Sequence, residues 1–195
     1  ADLPARSGVG SSSTFSVGLI HALAVLTNEE YSQFELAEKA TYVEQELNKE
    51  IVGCQDQVAV ACGGFNRIYF DDRGIKLKPV KISKEKSWEF QNNLLLFFCG
   101  NLRNSSEIQK EQQSKTKQNS TNLRKISEIA IEADSLFKSG DLNGIGNLLN
   151  DTWDIKKRLS KQISNSKIDD AYEAALRAGA LGGKLLGAGG GGFLL

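Results

Sequence analysis

Histidine and methionine are the residues that this sequence most clearly lacks. His21 is the only histidine among the 195 residues, and methionine does not occur. A Ser–His nucleophile pair and a multi-histidine metal site are therefore close to excluded. His21 itself lies inside an expected helix, where packing is its expected role. Any chemistry in this chain is expected to use carboxylates, hydroxyls and a metal ion held by oxygen atoms.

Cysteine and long apolar runs are also scarce. Cys54, Cys62 and Cys99 are an odd number and form no C-x-x-C pair, so the sequence indicates neither a zinc site nor a disulfide framework. Reduced thiols of this kind are typical of a cytoplasmic protein. No apolar run approaches the ~18 residues that a membrane span needs, and no signal-peptide pattern opens the chain. We expect a cytoplasmic protein without a membrane partner.

Charge of neither sign predominates. Lysine and arginine number 24, and aspartate and glutamate also number 24. This balance argues against a protein that binds nucleic acid non-specifically. One local basic cluster lies on a helical stretch interrupted by apolar residues, and we interpret it as a solvated face. It comprises Lys156, Lys157, Arg158 and Lys161.

The two ends of the chain are unusual. The sequence opens at Ala1 without a methionine, and it stops at Leu195 within a short apolar run that is typical of a strand. We therefore expect a piece of a larger protein, in which further elements complete the sheets.

Two glycine-rich segments lie near opposite ends of the sequence, at 7–13 and 187–192. The first precedes apolar residues at helical spacing, which are Phe15, Leu19, Leu23 and Leu26. A flexible loop at a helix N-terminus offers unpaired N–H groups and a favourable dipole to a phosphate. Glycine in the second segment permits close approach of backbone to a ligand. A linker or turn is the plainer alternative, and neither the P-loop nor the dinucleotide pattern is present. A nucleotide-dependent phosphotransferase is the leading hypothesis.

The order of expected elements favours an α+β fold over a doubly wound sheet. Helices and strands do not alternate, and helices cluster late in the chain. The segment 104–122 is expected to be a mobile loop with helical beginnings, with a lid as the alternative, and the apolar run 94–99 a buried strand. The other expected elements are helices at 12–26, from Ser32 to about Leu47, 123–139, 142–159 and 167–178, and a hairpin of strands 65–70 and 75–82.

Asp56 is the candidate catalytic residue. It follows Gly53 and is flanked by two amide side chains, Gln55 and Gln57. A carboxylate there could accept the proton of an attacking hydroxyl or orient it. The alternative is structural, because aspartate is also favoured as a helix N-cap.

A magnesium ion would need a protein hydroxyl or carboxylate besides phosphate oxygens and water. The hydroxyl could come from Ser11, Ser12 or Ser13. Glu44 and Glu46 lie symmetrically on the two flanks of the apolar stripe of the second helix, at 100° per residue. Helix geometry therefore leaves both glutamates open, and glutamates at such edges are commonly just solvated.

The motifs together resemble the GHMP kinases, the superfamily of galactokinase, homoserine kinase and mevalonate kinase. Residues 3–13 resemble the superfamily's phosphate loop, P-x-x-x-G-L-G-S-S-A, with Val9 and Ser13 as mild departures. Residues 184–193 resemble its third motif. Residues 53–57 and 63–66, the segment 154–165 and the ending 179–187 are most similar to the D-glycero-D-manno-heptose 7-phosphate kinases within it.

This resemblance implies a two-domain fold. Residues 1–86 would form part of an N-terminal domain that carries the phosphate loop, and 87–195 a C-terminal ferredoxin-like α/β sandwich that lacks its final strands. The superfamily's first, sugar-binding motif and its adenine-binding residues are absent from this sequence, so we expect the chain by itself to be inactive.

The resemblance also implies a reaction and its residues. ATP would phosphorylate a sugar hydroxyl, that of the anomeric carbon in heptose 7-phosphate, with Mg²⁺ as cofactor. Asp56 matches the catalytic aspartate, and Ser12 and Glu44 match the Mg²⁺ ligands. The nucleotide would be bound by Ser7, Gly8, Val9, Gly10, Ser11, Ser12, Ser13, Gly189, Gly190 and Gly191. A kinase for fucose or galactose and a non-catalytic sugar or nucleotide sensor are the alternatives. The sequence does not indicate an oligomeric state.

Overall fold

The computed structural model describes residues 8–100 and 105–195. Within them the chain divides into two compact units. The first comprises Gly10–Pro79, and the second comprises Val80–Leu195 together with Gly8 and Val9. The two domains expected at 1–86 and 87–195 remain a prediction.

The first unit is built from three helices, one π-helical turn and a hairpin. Helix α2 begins with the expected capping box, because the Ser32 hydroxyl accepts from the Glu35 N–H while the Glu35 carboxylate accepts from the Ser32 N–H. The elements in chain order are α1 (Ser11–Leu26), α2 (Gln33–Tyr42), the π-helical turn Val43–Leu47, α3 (Gln55–Cys62), β1 (Asn66–Asp71) and β2 (Gly74–Pro79).

Small side chains pack the helices of the first unit together. Its buried apolar residues come from α1, α2 and α3, and they are Val17, Ala24, Leu36, Ala37, Ala40 and Val58. The apolar stripe expected on α1 is exposed, since Phe15, Leu19, Leu23 and Leu26 all remain accessible to solvent in the described part of the chain. Helix α1 therefore contacts α2 and α3 through a different face from the one that its largest apolar residues suggest.

The expected hairpin is present. Strands β1 and β2 pair antiparallel from Asn66 opposite Pro79 to Asp71 opposite Gly74. The connection consists of two residues, Asp72 and Arg73, and such short connections fix the register of a hairpin.

The second unit is mainly helical and contains a hydrophobic core. Trp153 and Ile163 are fully buried at its centre, with Ile168 and Leu185 around them. Its elements are α4 (Lys84–Asn92), β3 (Phe97–Phe98), α5 (Ser105–Ser114), α6 (Ser120–Ser139), α7 (Leu142–Lys157), α8 (Ser166–Arg177) and β4 (Phe193–Leu194).

The prediction of a mobile loop at 104–122 is wrong for most of its length, because α5 and the start of α6 occupy it, and the helical beginnings that the prediction allowed are full helices. Residue 104 lies outside the described residues. Ile108 anchors α5 in the core, and the Asn119 side chain donates to the Leu159 carbonyl at 3.0 Å. One buried residue and a few polar contacts thus order a segment whose composition is polar.

The apolar run 94–99 forms a shorter and more exposed strand than expected. Only Phe97 and Phe98 are in β3, which pairs antiparallel with β4. Leu95, Leu96 and both phenylalanines are exposed in the described structure. The prediction of a buried strand is therefore wrong. Among the described residues, β3 pairs only with β4, so little of its surface is covered.

Mixed helices and antiparallel two-stranded sheets confirm the α+β class. Helix α8 begins at Ser166, one residue earlier than expected, and its N-cap is Asn165, whose side chain accepts from the Ile168 N–H. Over the residues that the structure describes, none of the helices combines the length and apolar character required to cross a bilayer.

Candidate phosphate and metal site

Over the part of the chain that the structure describes, the N-terminus of α1 has no side-chain cap. Gly10 is its N-cap residue in the left-handed conformation, with φ of 72°, and no described side chain accepts from the first-turn N–H groups. The first turn also contains no acidic residue. Ser11 and Ser12 are exposed there, and Ser13 is buried. The first N–H groups of a helix have no partner within the helix, so this end is suited to an anion. Ser7, the first residue of the expected loop, lies outside the described residues.

Asp56 lies beside this helix end. A Cβ atom built on Gly10 would lie 3.7 Å from Asp56 Oδ2, so the carboxylate and the Gly10 backbone are neighbours. Asp56 is in the first turn of α3, whose N-cap is Cys54, so the alternative in which Asp56 caps the helix is wrong. Desolvation by the surrounding protein raises the pKa of Asp56 above its usual value, although the residue remains accessible to solvent. A carboxylate with a raised pKa is a stronger proton acceptor than an ordinary aspartate.

Glu44 is a buried carboxylate in the π-helical turn. Only 1% of its surface is exposed. Its Oε2 accepts from Ser13 Oγ at 3.3 Å and from Gln57 Nε2 at 2.6 Å. Its Oε1 is buried and has no hydrogen-bond partner among the residues that the structure describes. Glu46, the other glutamate that the sequence left open, is exposed and pairs with Lys49.

The surroundings of Glu44 suit a divalent cation. A buried carboxylate is costly unless a cation or several donors compensate it, and here only one of its two oxygens has donors. The hydroxyl of Ser13 already donates to Glu44, whereas Ser12, one residue before it, is exposed. One carboxylate and one hydroxyl, completed by phosphate oxygens and water, is a common donor set for Mg²⁺.

In the second unit, the two glycine-rich segments meet backbone to backbone. A Cβ on Gly8 would lie 2.7 Å from the Leu186 carbonyl oxygen, and one on Gly187 would lie 2.7 Å from Gly8 Cα. Both glycines have positive φ, at 80° and 69°. No other residue type fits this contact without displacing backbone, which gives a physical reason for glycine at both positions.

The glycines expected near phosphate at 189–191 are buried in the second unit. A Cβ on Gly189 would lie 2.8 Å from Ile163 Cα, and the Gly190 N–H donates to the Ile163 carbonyl at 2.9 Å. That N–H is therefore engaged within the protein. These glycines serve close packing in the fold, and their part in nucleotide binding remains a prediction.

Lys156 belongs to the same region and departs from the expected solvated face. Its ammonium donates to the carbonyl of Leu185 at 2.9 Å and to that of Gly187 at 2.7 Å. Burial, together with the neighbouring charge of Lys184, lowers the pKa of Lys156 to about 7. Lys156 thus holds the backbone on either side of Leu186, the residue whose carbonyl lies against Gly8.

Sequence reasoning missed the roles of Gln57 and Lys156. For Lys156 a signal was available, because it follows the buried Trp153 by three residues on α7 and so shares its helix face. For Gln57 the sequence shows only an amide beside Asp56. Its contact with Glu44 depends on how α3 packs, and local spacing does not encode that.

Two family profiles match this chain. The profile described as "GHMP kinases N terminal domain" matches residues 1–64, and the profile described as "GHMP kinases C terminal" matches residues 133–195. Together they cover more than half of the sequence.

Individual relatives are sugar kinases. The chain is 30% identical to D-glycero-alpha-D-manno-heptose 7-phosphate kinase of Campylobacter jejuni, over all of this chain and 58% of that protein. It is 26% identical to the galactokinase of Pyrococcus furiosus, over 98% of this chain and 60% of the relative. A crystal structure of a D-glycero-D-manno-heptose 1-phosphate kinase from Bacteroides thetaiotaomicron superimposes with a TM-score of 0.74 at 26% sequence identity. The match covers 99% of this chain and 53% of the chain in that crystal structure. The chain therefore spans little more than half the length of these relatives.

Proposed function

Because the chain belongs to the GHMP kinases, we propose that its protein transfers the γ-phosphoryl group of ATP to a hydroxyl of a sugar phosphate. The observation that carries this proposal is the buried Glu44 carboxylate. Within the described parts of the chain, one of its oxygens has no partner, and the other is bonded to Ser13 in the first turn of α1. A helix start suited to phosphate and, beside it, a buried carboxylate with donors on only one oxygen suit a magnesium nucleotide better than an uncharged ligand.

In this proposal the start of α1 binds phosphate. The N–H groups of its first turn and the helix dipole favour negative charge there, and no acidic side chain in that turn opposes it. Gly10, Ser11, Ser12 and Ser13 are the residues that we assign to this task in the first unit. Ser7, Gly8 and Val9, with Gly189, Gly190 and Gly191, are proposed to contribute from the rest of the chain by resemblance to the family.

Glu44 and Ser12 are the proposed ligands of Mg²⁺. The exposed Ser12 hydroxyl is available to a ligand, and Glu44 Oε1 is without a donor. Bound Mg²⁺ would offset the charge of the phosphate oxygens.

Asp56 is the proposed proton acceptor. Its carboxylate lies next to Gly10, at the start of the helix where phosphate is proposed to bind. From there it would orient the sugar hydroxyl for in-line attack and accept its proton, and a raised pKa favours that acceptance near neutral pH. Transfer of this kind depends mainly on positioning and on stabilisation of charge.

The proposed acceptor is D-glycero-D-manno-heptose 7-phosphate, phosphorylated on its anomeric hydroxyl. Two relatives named as heptose phosphate kinases support this choice. A galactose or fucose kinase is the second candidate, because a galactokinase matches nearly all of the chain at 26% identity. A non-catalytic sensor on the same fold is the third, and the placement of Asp56 beside Gly10 favours the enzymes over it.

The experiment that tests this function offers several acceptors in parallel. The full-length protein is incubated with Mg²⁺ and ATP, and ATP consumption is followed with heptose 7-phosphate, galactose, fucose or mevalonate. We expect turnover with heptose 7-phosphate in excess of the other three. Turnover with galactose or fucose alone would move the assignment to the second candidate, and ATP binding without turnover on any acceptor would favour a sensor.

A further inference from the structure

Gln57 is buried to the same extent as Glu44. Its side chain is polar, and the proposal above gives it no catalytic role, so its burial needs another explanation. It is 1% exposed and lies in the first turn of α3. We infer that Gln57 is a positioning residue that fixes the Glu44 carboxylate for a divalent cation. This inference rests on the proposed function and deepens it.

The orientation of the Gln57 amide follows from the contact itself. Its Nε2 donates to Glu44 Oε2 at 2.6 Å. If the amide were turned over, its carbonyl oxygen would face a carboxylate oxygen, and two acceptors would be buried against each other. The donor therefore faces Glu44, and the amide contributes one strong, charge-assisted hydrogen bond.

This bond gives the two Glu44 oxygens different roles. Oε2 receives both the Ser13 hydroxyl and the Gln57 amide, while Oε1 receives no donor from residues 8–100 and 105–195. Two donors on one oxygen fix the rotation of the carboxylate, and the free oxygen is then held in a single direction. Residues that orient a metal ligand in this way commonly affect metal affinity by about 10- to 100-fold.

Helix α3 couples this positioning to Asp56. Consecutive residues of a helix point about 100° apart, and here Asp56 is exposed beside Gly10 while Gln57 is directed into the core of the first unit. One helical turn therefore carries the proposed proton acceptor on one side and the support of the proposed metal ligand on the other.

The test compares metal binding in variants of the full-length protein, with Mn²⁺ as the probe in the presence of ADP and its bound fraction read by electron paramagnetic resonance. Gln57→Met preserves the shape of the side chain and removes the donor. Gln55→Met is the matched control, because Gln55 is an exposed glutamine two residues earlier on the same helix turn. Glu44→Gln tests the metal ligand itself, and thermal unfolding without metal reports stability.

We expect Gln57→Met to weaken Mn²⁺ binding at least ~10-fold while Gln55→Met binds like the wild type, and metal-free unfolding of the two variants to be similar. If Glu44→Gln weakens binding and Gln57→Met does not, the inference is overturned and the proposed metal ligand stands. If Glu44→Gln binds Mn²⁺ like the wild type, the metal site of the proposed function fails as well. Should Gln57→Met not fold, Gln57→Asn replaces it, because the shorter amide draws the donor away from Glu44. The Mn²⁺ binding of Gln57→Asn is then interpreted in the same way.

Discussion

A single buried glutamate distinguishes the candidate metal site from a solvated helix face. At 100° per residue, Glu44 and Glu46 are equivalent on the flanks of the second helix, and the sequence offers no choice between them. The structure replaces regular helix at that point with the π-helical turn Val43–Leu47, which changes the angle between successive side chains. Glu44 is then buried and Glu46 exposed. Single π-helical turns often occur at functional sites, and this one directs a carboxylate inward.

Whereas Glu44 is a buried anion, Lys156 is a partly buried cation, and it has no carboxylate partner among the described residues. Its ammonium is held by the carbonyls of Leu185 and Gly187, and its pKa falls to about 7 because of burial and the charge of Lys184. A neutral amine still has two N–H groups for the two carbonyls, so the contacts survive loss of the proton.

The lowered pKa predicts how stability varies with pH. The folded state loses the Lys156 proton near pH 7, whereas the unfolded chain retains it up to the ordinary value of 10.5. Between these values the unfolded state holds more protons than the folded state, so the free energy of unfolding rises with pH. Below pH 7 the folded state carries the full cost of a partly buried, charged Lys156. Allowing for partial exposure, we expect a gain on the order of 1 kcal/mol across this window.

Chemical denaturation at pH 7 and pH 9.5 measures this gain. In Lys156→Met the rise with pH should be smaller than in the wild type, and the remainder should come from Lys184, whose pKa is also lowered by burial. Lys161→Met, at an exposed lysine of the same basic cluster, should retain the full rise. Equal pH dependence in all three proteins would show that Lys156 is not the responsible group.

At the scale of the elements, glycine has different roles on the two sides of the α1 N-terminus. Gly8 has a positive φ and touches the Leu186 carbonyl, whereas Gly18 lies in the middle of α1 with open space around it. We predict that Gly8→Ala destabilises the protein by more than ~1 kcal/mol, because an L-residue is strained at that φ and the new methyl group meets backbone. Gly18→Ala should stabilise it by ~0.5–1 kcal/mol through helix propensity.

Thermal unfolding of the two alanine variants compares these effects directly. The midpoint should fall for Gly8→Ala and rise for Gly18→Ala. A Gly8→Ala variant as stable as the wild type would mean that the Gly8 and Leu186 backbones are not in contact in solution.

Elements governed by local sequence could be predicted well. The capping box at Ser32, the hairpin around Asp72 and Arg73, and helices α6 and α7 depend on neighbouring residues, and the structure confirms them. Each is set by capping, turn length or apolar spacing, all of which a sequence displays.

Elements governed by distant contacts could not be predicted. Helix α5 has a polar composition and is held by the burial of Ile108, and the Gln112 side chain donates to the distant Ala188 carbonyl at 3.0 Å. Strand β3 is exposed although its composition suggests a core, since burial depends on which elements cover it. The same distinction between local patterns and distant contacts applies to the candidate site. The Asp56 and glycine motifs were visible in the sequence, while the Gln57–Glu44 contact was not.

At the scale of the whole molecule, the motifs have the order and spacing of a GHMP kinase, and both family profiles match. The chain covers 58% of its heptose 7-phosphate kinase relative, so activity and substrate are proposed for the full-length protein. Three features of the described residues support the proposed phosphoryl transfer: an uncapped helix start, a buried carboxylate with one oxygen that receives no donor, and an aspartate beside Gly10.

The most direct test of this account is the turnover of Asp56→Ala compared with its affinity for ATP. The account predicts that ATP binding remains nearly intact while kcat falls at least ~10²-fold, because the variant loses the proton acceptor and keeps the phosphate loop. Asp72→Ala, at an exposed aspartate in the hairpin turn, should match the wild type in both measurements. Wild-type turnover in Asp56→Ala would contradict the assignment of Asp56 and, with it, the proposed mechanism.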